Sequence, residues 1–292
     1  MRRLVLTALA AVAVVLGLAV PASATPGDQG ARPPAPLDYV ALGDSYSAAS
    51  GVLPPDPTAA PQCLRSTRNY PHVLAAQLGA RSFTDVTCGG ADTTHFATAQ
   101  YPGVAPQLAA LSPDTDLVTM TIGGNDSGVF INSILRCGAA GLTTLGQGNP
   151  CQQQYGTSFE DTVRTVTGPS LVAALTAVRQ AAPNARIAIL GYPSILPPTG
   201  GCFPVMPVAV GDVPYLYSLQ TTLNQVIADA ARQTHVTFVD MTGPSQGHDA
   251  CQPLGVRWVE PVLTGTNPVI VHPNALGEQA MAAAVTRTLR LG

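Results

Sequence analysis

The sequence predicts an α/β fold: a three-layer sandwich in which a parallel sheet of about five strands is covered by helices on both faces. Three observations carry that expectation. Short apolar runs fall at 37–42, 82–87, 117–122, 186–190 and 235–239, each of strand length. Each of the five is followed by a helix-like stretch before the next strand or the end of the chain, which is the spacing of βαβ units with right-handed crossovers. Three of them, moreover, end in glycine-rich or polar turns, at Ser45, Gly90 and Asn125.

Taken in order, the chain opens with Arg2 and Arg3, an unbroken apolar run over 4–20 and the small residues Ala22-Ser23-Ala24. That pattern marks residues 1–24 as a signal peptide and places the mature protein outside the cell. Cleavage after Ala24 removes 24 of the 292 residues and leaves 268, enough for one large domain, assigned to 37–292. Residues 25–36, rich in Pro, Gly and Ala, form a flexible leader. No later run is long and apolar enough to span a bilayer, so stable membrane insertion is not expected.

The first strand, LDYVAL, turns through Gly43 and Asp44 onto Ser45. A proline-rich loop over 51–62 follows it. Asn69 then caps a helix with Pro71 in its first turn, and Gly79 ends it. The second strand delivers Cys88-Gly89-Gly90-Ala91-Asp92. A helix carried by Val104, Leu108 and Leu111 precedes the third strand, LVTMTI, which stops in Gly123-Gly124-Asn125-Asp126. Residues 128–157 read as irregular apart from a short helix over 129–135. A long helix over 158–181, interrupted at Gly168-Pro169, leads to the fourth strand. From 191 to 214 six prolines stand among apolar residues, a loop read as the wall of a hydrophobic groove, with Tyr192, Phe203, Met206 and, from further on, Trp258 as groove candidates. A helix over 215–234, the fifth strand ending at Asp240, a long loop and a last helix over 276–289 complete the chain.

Composition excludes some functions. Without Arg2 and Arg3 the chain has 12 basic against 17 acidic residues, a charge of −5, and no lysine. A nucleic-acid partner is therefore not expected. The six cysteines, even in number and all beyond residue 24, suggest three disulfides in an exported chain. They admit fifteen pairings; because they fall between or at the edges of the core elements, the sequential set Cys63–Cys88, Cys137–Cys151 and Cys202–Cys251 is preferred. No CxxC pair or Cys/His cluster favours a metal.

A doubly wound sheet brings the Ser45, Gly90 and Asn125 turns to one rim. Near the C-terminus, Val271-His272-Pro273-Asn274 sets an imidazole just before the last helix. A serine hydroxyl near neutral pH needs an adjacent base, and histidine suits by its pKa. Attack on an ester puts negative charge on the former carbonyl oxygen, which the N–H groups of Ser45 and Gly90 and the Asn125 amide would receive. Asp44 and Asp126 read as braces of their own turns.

Together these blocks resemble the SGNH, or GDSL, hydrolase family, and within it the secreted lipases, esterases and phospholipases of Streptomyces. Gly43-Asp44-Ser45-Tyr46, Gly90, Gly123-Gly124-Asn125-Asp126 and His272-Pro273-Asn274 carry the resemblance over essentially the whole mature chain. It implies the SGNH fold, Ser45 as nucleophile, His272 as base, Ser45, Gly90 and Asn125 as oxyanion donors, sequential disulfides and no cofactor or metal. One position departs. The family commonly has an aspartate three residues before the histidine, and here that residue is Val269. The resemblance then implies a Ser45–His272 dyad oriented by the Val269 carbonyl, with Asn267 and Ile270 as secondary candidates. Glu278 reads as a solvated or capping residue, and Asp240 as a distant candidate carboxylate.

The expected activity is hydrolysis of fatty-acyl esters by a monomer, with lipid or another ester as its partner. A carbohydrate O-acetyl esterase is the alternative, and it requires a shallow polar site. An inactive binding protein requires Ser45 and His272 to stand apart, and an acyltransferase requires an acceptor alcohol in place of water.

Overall fold

The computed structural model describes residues 37–291; the expected signal peptide and leader lie outside the described residues. In chain order the elements are β1 (Asp38–Ala41), α1 (Ser45–Ala48), α2 (Tyr70–Leu78), β2 (Ser82–Asp85), β3 (Leu117–Met120), α3 (Val129–Thr143), α4 (Pro150–Tyr155), α5 (Ser158–Thr162), α6 (Gly168–Ala181), β4 (Arg186–Leu190), α7 (Val213–Gln233), β5 (Thr237–Val239) and α8 (Ala275–Leu289). The five strands are parallel in the order β2-β1-β3-β4-β5, as the alternating pattern predicts.

This order fixes where function sits. From β1 the chain crosses to one side of the strand, to β2, and then returns to the other, to β3. Right-handed crossovers therefore place α2 on one face of the sheet and α6 and α7 on the opposite one. Helix α8 packs against α2, and α6 against α7, which completes the three layers. The switch in winding direction opens a crevice beyond the carboxyl ends of β1 and β3. The turns carrying Ser45 and Asn125 emerge there.

The core follows the strand pattern. All four residues of β3 are buried, as are the last four of β4, whereas the edge strand β2 alternates. Register pairs Val40 with Val118 and Val118 with Ile187, so these apolar side chains form one row across the middle strands on a single face of the sheet. Three disulfides join Cys63 to Cys88, Cys137 to Cys151 and Cys202 to Cys251.

Four elements differ from expectation. Within the stretch read as irregular, Pro150–Tyr155 forms the helix α4, started by Pro150 in its first turn. The helix predicted around Val104 to Leu111 is only a 3₁₀ turn, Gln107–Ala110, because Pro102, Pro106 and Pro113 leave too few backbone donors for a longer run. The interruption at Gly168-Pro169 is a widened π turn, Val163–Thr167, that keeps α5 and α6 in one rod; Pro169 has no N–H to give, and the wider turn absorbs the missing bond. Helix α3 runs to Thr143, well beyond the predicted 135. Its glycines have a packing reason: a Cβ on Gly141 would lie 2.3 Å from the Pro207 carbonyl oxygen. Close backbone approach outweighs the low helix propensity of glycine there.

Candidate active site

The site begins with the bend that ends β1. Gly43 has φ +129°, and a Cβ there would meet the Thr121 carbonyl at 2.5 Å, so only glycine lets the chain leave β1 against the end of β3. Asp44 then caps α1 by accepting the Tyr46 N–H at 3.0 Å. The same carboxylate accepts the Thr121 hydroxyl at 2.7 Å and the Tyr192 hydroxyl. Asp44 is thus the brace expected, with partners on three segments. Burial pushes its pKa up to about 6, against the hydrogen bonds from Tyr192 and Thr121.

Ser45 follows, and its Oγ lies 2.8 Å from His272 Nε2. Residues 227 positions apart meet because α8 begins beside α2 and the loop before it folds back over α1. His272 Nδ1 lies 2.7 Å from the carbonyl oxygen of Ile270, which requires Nδ1 to carry the proton and leaves Nε2 to accept from the serine.

The carbonyl that orients His272 is therefore that of Ile270, and the expectation for Val269 is corrected. The reason lies in the backbone. Val271 has φ +55°, a left-handed conformation that is costly for a β-branched residue. This bend brings the carbonyl two residues before the histidine, rather than three, to face its ring. Tyr46 holds the bend by donating its hydroxyl to the Val271 carbonyl, and its ring lies 5.0 Å from the imidazole. Val269 instead lines the cleft, and its N–H donates to the Asn267 side chain. Asn267 in turn donates to the Ser50 carbonyl and ties the loop to the end of α1.

Glu260 secures the same loop from behind. Its N–H donates to the His272 carbonyl and its carbonyl accepts from Val271, both at 2.9 Å. Its fully buried carboxylate receives Arg257, the Thr266 N–H and the Asn274 amide. Burial alone would raise the Glu260 pKa, but the hydrogen bonds from Asn274, Thr266 and Arg257 outweigh it and hold the carboxyl below its ordinary value. Glu260 does not stand out in the sequence as part of the site, and Tyr46 does so only as the last residue of the Gly43-Asp44-Ser45-Tyr46 block.

The candidate oxyanion donors Ser45, Gly90 and Asn125 line one cleft. Among the described residues, neither the Ser45 nor the Gly90 N–H has a backbone acceptor. One hydrogen of the Asn125 amide goes to the Ala91 carbonyl at 2.9 Å, which orients the group and leaves the second hydrogen for a ligand. Asp126 ties the two turns together by accepting the Thr93 N–H and hydroxyl. The Cys63–Cys88 bridge and the bond from the Gly89 N–H to the Cys63 carbonyl hold the Gly90 turn.

These groups open onto a cleft of about 360 Å³, lined beside the polar residues by Leu64, Tyr101, Phe130, Ile131, Tyr192, Val269 and Val271. A roomier recess of about 590 Å³ near Arg164, Pro169, Val226 and Asp229 contains no serine, cysteine or histidine that could serve as a nucleophile or base. Of the four predicted groove residues only Tyr192 reaches the cleft, and its hydroxyl also accepts the Gly124 N–H. Phe203 lies against Gly146, Met206 is buried with its sulfur facing the Val262 N–H, and Trp258 stacks on His248 at 4.2 Å. The 191–214 loop has packed down as a satellite of the core, held by Cys202–Cys251. The true apolar lining follows Cys63 and Asn125 in sequence, where proximity to the strand-end turns was the available signal.

Other sequence candidates fall elsewhere. Glu278 is fully buried rather than solvated, accepts the Tyr70 N–H at 2.6 Å and clips α8 to α2; burial pushes its pKa up. Asp240 is exposed and caps its own turn through Thr242 and Gly243.

Burial lowers the His272 pKa below its ordinary 6.5, opposed by the bond to Ile270. The neutral, proton-accepting form then persists into mildly acid solution. On a soluble ester, kcat/KM is expected to rise through a midpoint below 6.5 and stay level through neutrality, and the rise will exceed that of a single proton if Asp44, at about 6, must also ionise. A pH profile with its midpoint above 6.5 would contradict this.

Residues 41–280 match the GDSL-like lipase/acylhydrolase family. Lipase 2 of Streptomyces coelicolor is 55% identical over 291 residues, covering 97% of this chain and 95% of that protein. A lipase of Streptomyces rimosus is 31% identical, covering 82% of each. Among solved structures, a phospholipase A1 from Streptomyces albidoflavus superposes with a TM-score of 0.73 at 29% identity, over 87% of this chain and 100% of its own.

Proposed function

The chain belongs to the GDSL-like lipase/acylhydrolase family and is a carboxylic ester hydrolase of the lipase/esterase kind, and we propose that it cleaves fatty-acyl esters by two-step acyl transfer through Ser45 and His272. The observation that carries this is the 2.8 Å contact between Ser45 Oγ and His272 Nε2 at the floor of a cleft with apolar walls. His272 Nε2 takes the Ser45 proton as Oγ bonds to the ester carbonyl carbon, and the Ser45 and Gly90 N–H groups and the Asn125 amide receive the oxyanion. Collapse breaks the bond to the alcohol oxygen, which leaves with the proton from His272. Water repeats the sequence on the acyl-serine and releases the acid. The Ile270 carbonyl stabilises the imidazolium as a dipole, doing the orienting part of an aspartate's work with less charge. Acyl transfer of this kind uses no metal or organic cofactor.

Export fits the apolar 4–20 run, the Ala22-Ser23-Ala24 site and three disulfides. No helix among the described residues is long and apolar enough to cross a membrane. The phospholipase A1 and lipase likenesses support lipid acyl esters as substrates, whereas the apolar walls at Leu64, Phe130 and Ile131 disfavour a carbohydrate acetyl ester.

The test is a series of p-nitrophenyl esters from acetate upward, run beside a phospholipid with positional product analysis. Each methylene buried in the cleft contributes up to about 0.8 kcal/mol, roughly fourfold in kcat/KM. An increase over the first several carbons is expected. A maximum at acetate, together with faster release of acetate from an acetylated oligosaccharide, would overturn the assignment.

A further inference from the structure

Helix α3 carries two apolar stripes, and the fold uses one. Val129, Ser133, Ile134, Cys137 and Gly141 face the body of the protein. Ile131, Leu135, Ala139 and Leu142 recur at the helical interval on the outer side, and Leu145 follows at its end. The four large residues of this outer row are 43% to 76% exposed. The row starts at the cleft, because Ile131 is one of its lining residues, and runs about 16 Å along the helix to Leu142. Leu64, 52% exposed, also lines the cleft. At the far end Val210, 50% exposed, donates its N–H to the Gly146 carbonyl, extending the apolar surface with a residue from another segment.

Charge is nearly absent from this row. The helix has one ionisable side chain outside its disulfide, Arg136, and that guanidinium lies over the Tyr155 ring at 5.7 Å. An exposed row of large apolar side chains leading from the cleft marks contact with something apolar. A protein seated on it would cover the mouth beside Ile131 and obstruct substrate entry. A lipid surface would instead present the acyl ester to that mouth.

We infer that the outer face of α3, from Ile131 to Leu145, is the surface by which this enzyme lies on aggregated uncharged or zwitterionic lipid, so that an acyl chain passes from that lipid along the Ile131 lip to Ser45. The inference rests on the ester-hydrolase reading for its direction of delivery. Binding itself needs no turnover. An amphipathic helix lying in the plane of the lipid–water boundary gains affinity with the apolar area it buries.

Leu135 and Leu142 lie outside the cleft and on the solvent side, so Leu135→Ser and Leu142→Ser test the surface without touching the reacting groups. Binding is measured with Ser45→Ala protein, which cannot consume the lipid, by co-sedimentation with phosphatidylcholine vesicles. Each substitution is expected to weaken partitioning by about tenfold, the effect of withdrawing one buried leucine, and the pair by more. With Ser45 intact, the same substitutions are expected to lower activity on emulsified triacylglycerol by a similar factor and to leave p-nitrophenyl butyrate hydrolysis in solution unchanged. Undiminished vesicle binding in the double variant would overturn the inference, as would a dimer in sedimentation velocity that dissociates on these substitutions. Failure to hydrolyse any soluble ester would count against the proposed function, while the vesicle measurement would still decide this surface.

Discussion

Replacing Ser45 by alanine is expected to lower kcat on a soluble short-chain ester by roughly 10⁴–10⁶-fold, with stability and KM little altered. The magnitude follows from the loss of the hydroxyl that lies 2.8 Å from His272 Nε2 in the cleft that the candidate donors also line. Nucleophile and base act as one unit, so His272→Ala is expected to cost about as much, and the double variant about the same again rather than the product. Residual hydrolysis then reports what the oxyanion donors achieve with water alone. The check is kcat by direct assay, beside labelling by a serine-reactive organophosphate. Wild type should be labelled once per chain and Ser45→Ala not at all. Labelling that survives in Ser45→Ala, or a loss below about tenfold, would remove Ser45 from the nucleophile's role.

The sheet and the strand-end turns were legible because they depend on short-range patterns. An apolar run broken by Gly43, Gly90 or Gly123 marks a strand end whatever the rest of the chain does. Winding order then brings those ends to one rim without knowledge of any side-chain contact. The orienting carbonyl was not legible to the same degree. Whether residue 269 or 270 faces His272 turns on the sign of one dihedral, at Val271, and a valine in the left-handed region runs against its local preference. What holds it there is distant in sequence: the Tyr46 hydroxyl, 225 positions away, and the Glu260 backbone. The groove failed for a related reason. Apolar residues in the 191–214 loop look the same in sequence whether they line a cleft or pack on the core, and the choice was made by Cys202–Cys251 and by the close approach of Pro207 to Gly141. That approach also allows α3 to run through two glycines, and so creates the exposed row of leucines that a short helix would lack.

Asn125→Ala is expected to reduce kcat by about 10²–10³-fold, or roughly 3–4 kcal/mol of transition-state stabilisation, while KM stays near the wild-type value. The split follows from the position of the amide. One of its hydrogens is committed to the Ala91 carbonyl, so the group is already aimed before substrate arrives and needs no reorganisation when charge develops. The second hydrogen meets an oxygen whose charge is greatest in the tetrahedral state and small in the bound ester, which is why kcat rather than KM carries the loss. Asn125→Asp sharpens the test: it keeps the size of the side chain but has no hydrogen to donate and adds a negative charge beside the oxyanion, so it should be at least as damaging as alanine at neutral pH. Both are measured on the soluble ester, with thermal unfolding as the control for the lost Ala91 contact. If Asn125→Ala instead raised KM and left kcat intact, the amide would be a ground-state binding group, and stabilisation of the oxyanion would rest on the Ser45 and Gly90 N–H groups.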